Sequence, residues 1–384
     1  MFCNLYSNRK NMKKRYAVRD LLIISFALLV VAVASCKKDN ATNKNATTVT
    51  NATPAQIGLY ETDSSIYKLI YIDVSKVGTQ SIEDGMIFDT GSGGMVLDAE
   101  GILPKSMITS TGFNFNGADS LVYDGITIEK DTSHVEYGDD INTEAFVYGN
   151  LAYADVTVDE EGGGVVIKRL PFFLYYKAVD GKGVAQPAHD FDVFGVNEEY
   201  DVTFDNGSQY ITSPLSYYSP GTGLTKGFKM AALGTSNFSL DGTYVKDVVT
   251  LGLTSSDTQS NGFTLNSEKF YSGDGYLPYI PGTITYGGNT ISAEVLFDTG
   301  TEPYNYIEDN SATSSHYLAV NSAVTVATNS GFNYNFTVTA TDYLTYVENP
   351  KTSGEPVSIF SLEFFLDNEY LMDFSTHQVG FKNN

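Results

Sequence analysis

Two stretches of this sequence end an apolar run in the same acid: Met86-Ile87-Phe88-Asp89-Thr90-Gly91-Ser92 and, far downstream, Val295-Leu296-Phe297-Asp298-Thr299-Gly300-Thr301. An apolar run of this kind reads as a buried strand, and Asp-Thr-Gly turns a strand sharply at its end. Each copy therefore delivers one carboxylate from a core strand to a loop. If the two halves of the chain are structural duplicates, the loops meet at a shared interface and Asp89 faces Asp298. Like charges about 3 Å apart cannot both ionise, so such a pair holds one proton between them. The ionised carboxylate can take a proton from a water while its protonated partner polarises a carbonyl, which puts general base and general acid in one site. Gly91 and Gly300 permit the tight turn and the close approach of backbone to the acids. The hydroxyls of Thr90 and Thr299 can bind backbone across the interface, and those of Ser92 and Thr301 can reach the outer carboxylate oxygens.

Other chemistries find no support. His134, His189, His316 and His377 are scattered without ligand spacing, and there is no His-Glu-x-x-His helix, so no metal is expected. No Gly-x-Ser-x-Gly elbow occurs, and Gly221-Thr222-Gly223 lacks the strand and spacing of a phosphate or dinucleotide loop, so no cofactor is expected. With 46 acidic against 23 basic residues the formal net charge is −23. That balance argues against nucleic acid and anionic lipid as partners, since both demand a cationic patch. It also suits an acidic environment, where protonated carboxylates relieve self-repulsion.

The elements that must position the acids read as almost entirely β. The 384 residues favour two domains, and from Ile57 onward the chain is rich in Tyr, Phe, Val, Ile and Thr, punctuated by Gly, Asn-Gly and Asp-Gly. Strands are predicted over residues 67–73 and 85–88 around a turn near Val77-Gly78-Thr79, and over 120–129 with Asp124-Gly125 at a turn. Further strands are predicted over 131–137, 147–159 and 170–176. Residues 282–291 read as a hairpin around Gly287-Gly288-Asn289 that leads into the second acid. Short helices are predicted over 103–110 and 361–369.

The N-terminus is separate from this body. Arg9, Lys10, Lys13, Lys14, Arg15 and Arg19 precede an apolar stretch over 21–34 that is short for a membrane span, and it closes in Val33-Ala34-Ser35-Cys36. Small residues before a cysteine resemble the lipobox of bacterial lipoproteins. That resemblance implies a signal peptide over 1–35 and a lipid on Cys36, tethered by a polar spacer over 36–56. A single uncleaved anchoring helix is the alternative, and both tether the chain to a membrane. The expected place is the cell envelope, on the outer membrane, facing the periplasm or the surface. Cys3 and Cys36 are the chain's two cysteines, so the body has no disulfide.

The residues also resemble a family, the pepsin-like aspartic proteases, over most of residues 57–384. Residues 71–91 match that family's first hairpin without a gap. His134-Val135-Glu136-Tyr137-Gly138 looks like its flap strand, in which a Tyr-Gly pair closes over substrate. Phe191-Asp192-Val193-Phe194-Gly195-Val196 is similar to the apolar-apolar-Gly element beneath the first catalytic loop, and residues 364–381 resemble the closing strands. The acids lie 209 residues apart, and Tyr137 follows the first by 48. The resemblance implies an all-β, two-lobed double β-barrel with the active-site cleft between a lobe over 57–205 and a lobe over 206–384. It implies an aspartic endopeptidase in which Asp89 and Asp298 are catalytic, Thr90, Gly91, Ser92, Thr299, Gly300 and Thr301 support them, and Tyr137 and Gly138 form the flap. A monomer acting on peptide or protein substrates is expected.

This sequence departs from the family's pattern at several points. Val96 stands where a Trp often bonds the flap tyrosine, Asp139 and Asp140 occupy the flap turn, and Ser361 replaces the second glycine in Ile359-Phe360-Ser361. Glu302, expected as a solvated loop acid, adds a charge near the dyad. Tyr137 reads equally well as an ordinary half-buried strand residue. Two function classes therefore stand: an endopeptidase, or a non-catalytic pepsin-like lipoprotein that binds peptide or glycan. A carboxylate-pair glycosidase fits less well, because it sets its acids about 5–9 Å apart.

Overall fold

The computed structural model describes residues 52–64, 67–138, 144–204, 209–259 and 262–384. The leader, Cys36 and most of the tether lie outside them, as do Asp139 and Asp140. Among the described residues no helix is long and apolar enough to cross a membrane.

The chain forms the pepsin-like two-lobed β fold. The strand Tyr67–Val77 turns at Gly78, whose φ is +63°, into Gln80–Asp89, which ends on the first acid. Val193–Val196 pairs parallel to Gln80–Asp89 and antiparallel to Gly93–Asp98, so it fills the gap between the strand entering the acid loop and the strand leaving it. Gly93–Asp98 pairs parallel with Val165–Asp180, which pairs with Ala145–Val158. That last strand returns to pair with Tyr67–Val77, closing a barrel.

The downstream half repeats this order. Ile280–Tyr286 and Asn289–Phe297 form a hairpin that turns at Gly287 and Gly288, both with positive φ. Ser358–Phe360 pairs parallel to Asn289–Phe297, Tyr304–Glu308 pairs antiparallel to Ser358–Phe360, and Leu344–Glu348 runs parallel to Tyr304–Glu308. Two equivalent frames thus place two equivalent loops. A shared sheet joins the lobes: Ala55–Ser64 pairs with Tyr67–Val77 on one side and with Thr243–Leu253 on the other. Through Thr225–Met230 that sheet reaches the closing strands Asn368–Asp373 and Gln378–Asn383.

The phenylalanine before each acid anchors its strand. Phe88 is fully buried and meets Phe228 of the shared sheet edge-on, with ring centroids 6.1 Å apart. Phe297 packs on Phe364 at 3.9 Å, with Phe360 and Phe381 beside it. Burying each ring stabilises the fold by roughly 1.5–3 kcal/mol, which fixes where the next residue, the acid, can sit.

The strands are longer than the sequence suggests. The segments read as 120–129 and 131–137 are Ser120–Tyr123 and one continuous strand Ile126–Tyr137, with Asp124 and Gly125 at positive φ between them. The helix expected over 103–110 shrinks to the single 3₁₀ turn Lys105–Met107, and that over 361–369 to Phe364–Asp367. In both places neighbouring strands claim the flanking residues. Tertiary pairing overrides local propensity there.

Candidate active site

Asp89 and Asp298 meet at the junction of the lobes, the Asp298 carboxyl beside Gly91 and the Asp89 carboxyl beside Gly300. The lock beneath them is reciprocal. The hydroxyl of Thr90 donates to the Phe297 carbonyl at 2.9 Å and accepts from the Thr299 N–H at 3.0 Å. The hydroxyl of Thr299 donates to the Phe88 carbonyl at 2.6 Å and accepts from the Thr90 N–H at 3.0 Å. Both threonines are fully buried, so four backbone groups that water cannot reach are satisfied only across the lobe boundary.

Each acid is also held by its own loop. The Gly91 N–H donates to Asp89 Oδ1 at 2.7 Å, and Ser92 Oγ donates to Asp89 Oδ2 at 2.7 Å. The Gly300 N–H donates to Asp298 Oδ1 at 2.7 Å, and Thr301 Oγ1 donates to Asp298 Oδ2. The glycines are required by proximity: a methyl on Gly91 would lie 2.4 Å from the Asp298 carboxyl carbon, and one on Gly300 2.7 Å from Asp89 Oδ1. Gly195 lies under the first loop, where a methyl would come within 2.6 Å of Ser92 Oγ. Burial, then the charge and hydrogen bond of Asp298, push the Asp89 carboxyl well above the usual range, against the bonds from Ser92 and Gly91. The pair is thereby poised to keep a proton that two separate aspartates would lose.

Tyr137 ends the strand Ile126–Tyr137, which pairs with Ala145–Val158 so that Tyr137 lies opposite Ala145. It is half-buried, stacks on Phe191 with centroids 5.6 Å apart, and lies within reach of the Asp89 charge. Val96 is buried in the same apolar cluster as Phe191, and it offers Tyr137 no hydrogen bond. Gly138 has φ +83°.

The second lobe differs where the sequence does. Ser361 occupies the place of a glycine: its N–H donates to Asn305 Oδ1 at 2.9 Å, while its buried hydroxyl has no hydrogen-bond partner among the described residues. Glu302 is not the solvated acid expected. It is 4 % exposed, because the loop after Thr301 tucks under Lys68 of the first lobe, whose N–H lies 3.5 Å from Glu302 Oε2. Burial, with Glu363 and Asp298 nearby, pushes its carboxyl up to about 9. Lys68 is also buried. Its Nζ pairs with Asp342 at 3.0 Å, which outweighs the effect of burial and, with Glu363 and Glu302, raises its pKa.

Sequence reasoning missed this network, although a lone lysine inside the apolar run 67–74 was a visible signal. It also missed Asp201, an exposed acid that accepts from the Gly93 N–H beside the first loop and lies within electrostatic range of Tyr137 and Asp298. No motif marks Asp201.

Comparison with solved structures yields the same architecture. An aspartic proteinase from Irpex lacteus superposes with a TM-score of 0.56 at 18% identity, covering 86% of this chain and 98% of its own. Basic 7S globulin from soybean superposes with a TM-score of 0.52 at 11% identity, covering 87% and 95% respectively. These likenesses establish the fold. No protein-family model matches the sequence, and no curated protein does.

Proposed function

We propose that this protein is an aspartic endopeptidase. The observation that carries the reading is the reciprocal lock of Thr90 and Thr299, which holds two facing carboxyls at the lobe junction with a glycine against each. An extended peptide lies across the cleft, its backbone pairing with strand edges. The ionised member of the dyad takes a proton from a water, whose oxygen bonds to the scissile carbonyl carbon. The protonated member donates to the carbonyl oxygen. Collapse of the tetrahedral intermediate breaks the C–N bond: the acid that took the water's proton gives it to the leaving amine, and the other acid takes back the proton of the former carbonyl oxygen, restoring the dyad. The resemblance to a proteinase by fold supports this reading.

The second reading is a non-catalytic binder of peptide or glycan. It draws on the fold being shared with a protein called a globulin and on the additional acid buried beside the dyad. Incubation of the intact protein with a denatured protein mixture from pH 3 to pH 7 separates the two. Cleavage is expected, falling at least about 100-fold in Asp89→Asn and in Asp298→Asn with the fold intact. Absence of cleavage at every pH by folded protein favours the binder, and cleavage that survives either substitution overturns the dyad mechanism. Placement at a membrane through a lipid on Cys36 belongs to the same proposal. Cys36→Ser is expected to move the protein from the membrane to the soluble fraction of its bacterial host.

A further inference from the structure

Beside the strand that enters the first acid loop, three side chains from separate segments converge. Asp84 comes from the strand Gln80–Asp89, and Asp192 from the residue just before Val193–Val196. His189 comes from the loop that leads to it. Their nearest ligand atoms all lie within 4.8 Å of one another. His189 Nδ1 is 2.7 Å from Asp192 Oδ2 and 3.7 Å from Asp84 Oδ2. Both aspartates are buried, Asp192 fully and Asp84 to 4 % exposure.

We propose that Asp84, Asp192 and His189 form a binding site for one divalent transition-metal ion, of which Zn²⁺ is the best fit. One imidazole nitrogen and two carboxylate oxygens are a donor set that such ions take, with water completing the shell. Two buried carboxylates repel each other, and a dication between them converts the repulsion into bonding. The ligands are held from behind, as metal ligands are. The Asp98 N–H donates to Asp192 Oδ1 at 2.8 Å, and Asp98 Oδ2 accepts from the backbone N–H of His189 at 3.0 Å, which fixes that residue's main chain. An open cavity of about 430 Å³ adjoins the cluster, lined by Asp98, Gly101 and Ala188 among others and by none of the three ligand side chains themselves. A methyl on Gly101 would lie 3.9 Å from His189 Nε2, so the imidazole lies next to one residue of that lining.

The ion would stiffen the frame of the first acid without touching the acid. Asp84 lies on the strand that ends in Asp89, and the Asp192 carbonyl accepts from the Ile87 N–H at 3.2 Å. The site stands whether or not the protein cleaves peptides.

The test is calorimetric titration of the intact, chelator-stripped protein with Zn²⁺ at pH 7.5, together with a Co²⁺ titration followed by visible absorption. One equivalent is expected to bind, to raise the unfolding temperature and, with Co²⁺, to give a d–d band. His189→Gln and Asp84→Asn are each expected to weaken that equivalent at least about 100-fold, whereas Asp298→Asn is expected to keep it. Should a variant fail to fold, the Co²⁺ band of the wild-type protein, displaced by Zn²⁺, still decides the matter. No saturable binding at pH 7.5 or pH 9 overturns the proposal and leaves an ion cluster neutralised by His189 alone. An equivalent that persists in both variants overturns it as well.

Discussion

At the scale of single residues, the dyad is unusual for the acid that follows it. Glu302 comes directly after Thr301 and is buried against Lys68, with the Asp298 charge among the causes that raise its carboxyl to about 9. At neutral pH it is therefore held mainly as the neutral acid, which spares the singly charged dyad a second negative charge. The raised value also fixes the sign of its effect on stability. The protonated form is fully favoured below the ordinary glutamate range, about pH 4, and the folded state loses that advantage as the pH rises towards 9. Glu302→Gln, a permanently neutral mimic, is expected to match wild type in thermal unfolding near pH 4.5 and to exceed it near pH 9. Equal melting temperatures at both pH values would show that Glu302 ionises freely in the folded protein.

At the scale of elements, the two acid loops depend on each other. Thr90 Oγ1 serves two buried backbone groups of the opposite loop, the Phe297 carbonyl and the Thr299 N–H. Thr90→Val keeps the shape and strands both groups away from water, at about 1–3 kcal/mol for each. Thr90→Ser keeps the hydroxyl and is expected to stay within about 1 kcal/mol of wild type. Denaturant unfolding measures the difference, and a valine variant as stable as the serine variant would show that the lock does not hold the lobes. Tyr137, expected from the sequence as the flap tyrosine, is likewise held by a distant residue, the stacked ring of Phe191.

At the scale of the whole molecule, the acidic composition becomes a pH preference. Burial pushes the carboxyls of Glu61 up to about 8, Asp73 to about 6 and Glu363 to about 7, with Glu302 higher still. Each of these groups favours the folded state below about pH 4, and that advantage is lost as the pH climbs through their raised values. Asp257, Asp309 and Asp342 work the other way. Despite burial they are held below the usual range by Lys229, Tyr286 and Lys68 respectively, so their contribution is lost in strong acid. The unfolding temperature is therefore expected to be highest around pH 4–5 and to fall steadily to pH 9. A temperature that is flat or rising over that interval would show that the buried acids find compensation on ionising.

Much of this was legible in the chain itself. The paired Asp-Thr-Gly triplets, the Gly78 and Gly287-Gly288 turns and the all-β texture are local patterns, set by steric limits and side-chain period, and they lie in the order of the residues. Other features were not legible. Asp201 carries no motif, Glu302 read as an ordinary loop acid, and the histidines showed no ligand spacing because Asp84 and His189 are 105 residues apart in sequence. What the sequence alone determined was which strands end in acids and which turns can carry them. Only the tertiary structure decided which charges lose their water and which distant side chains become neighbours. Burial and through-space distance set those energies, and both arise from the packing of strands remote in the chain.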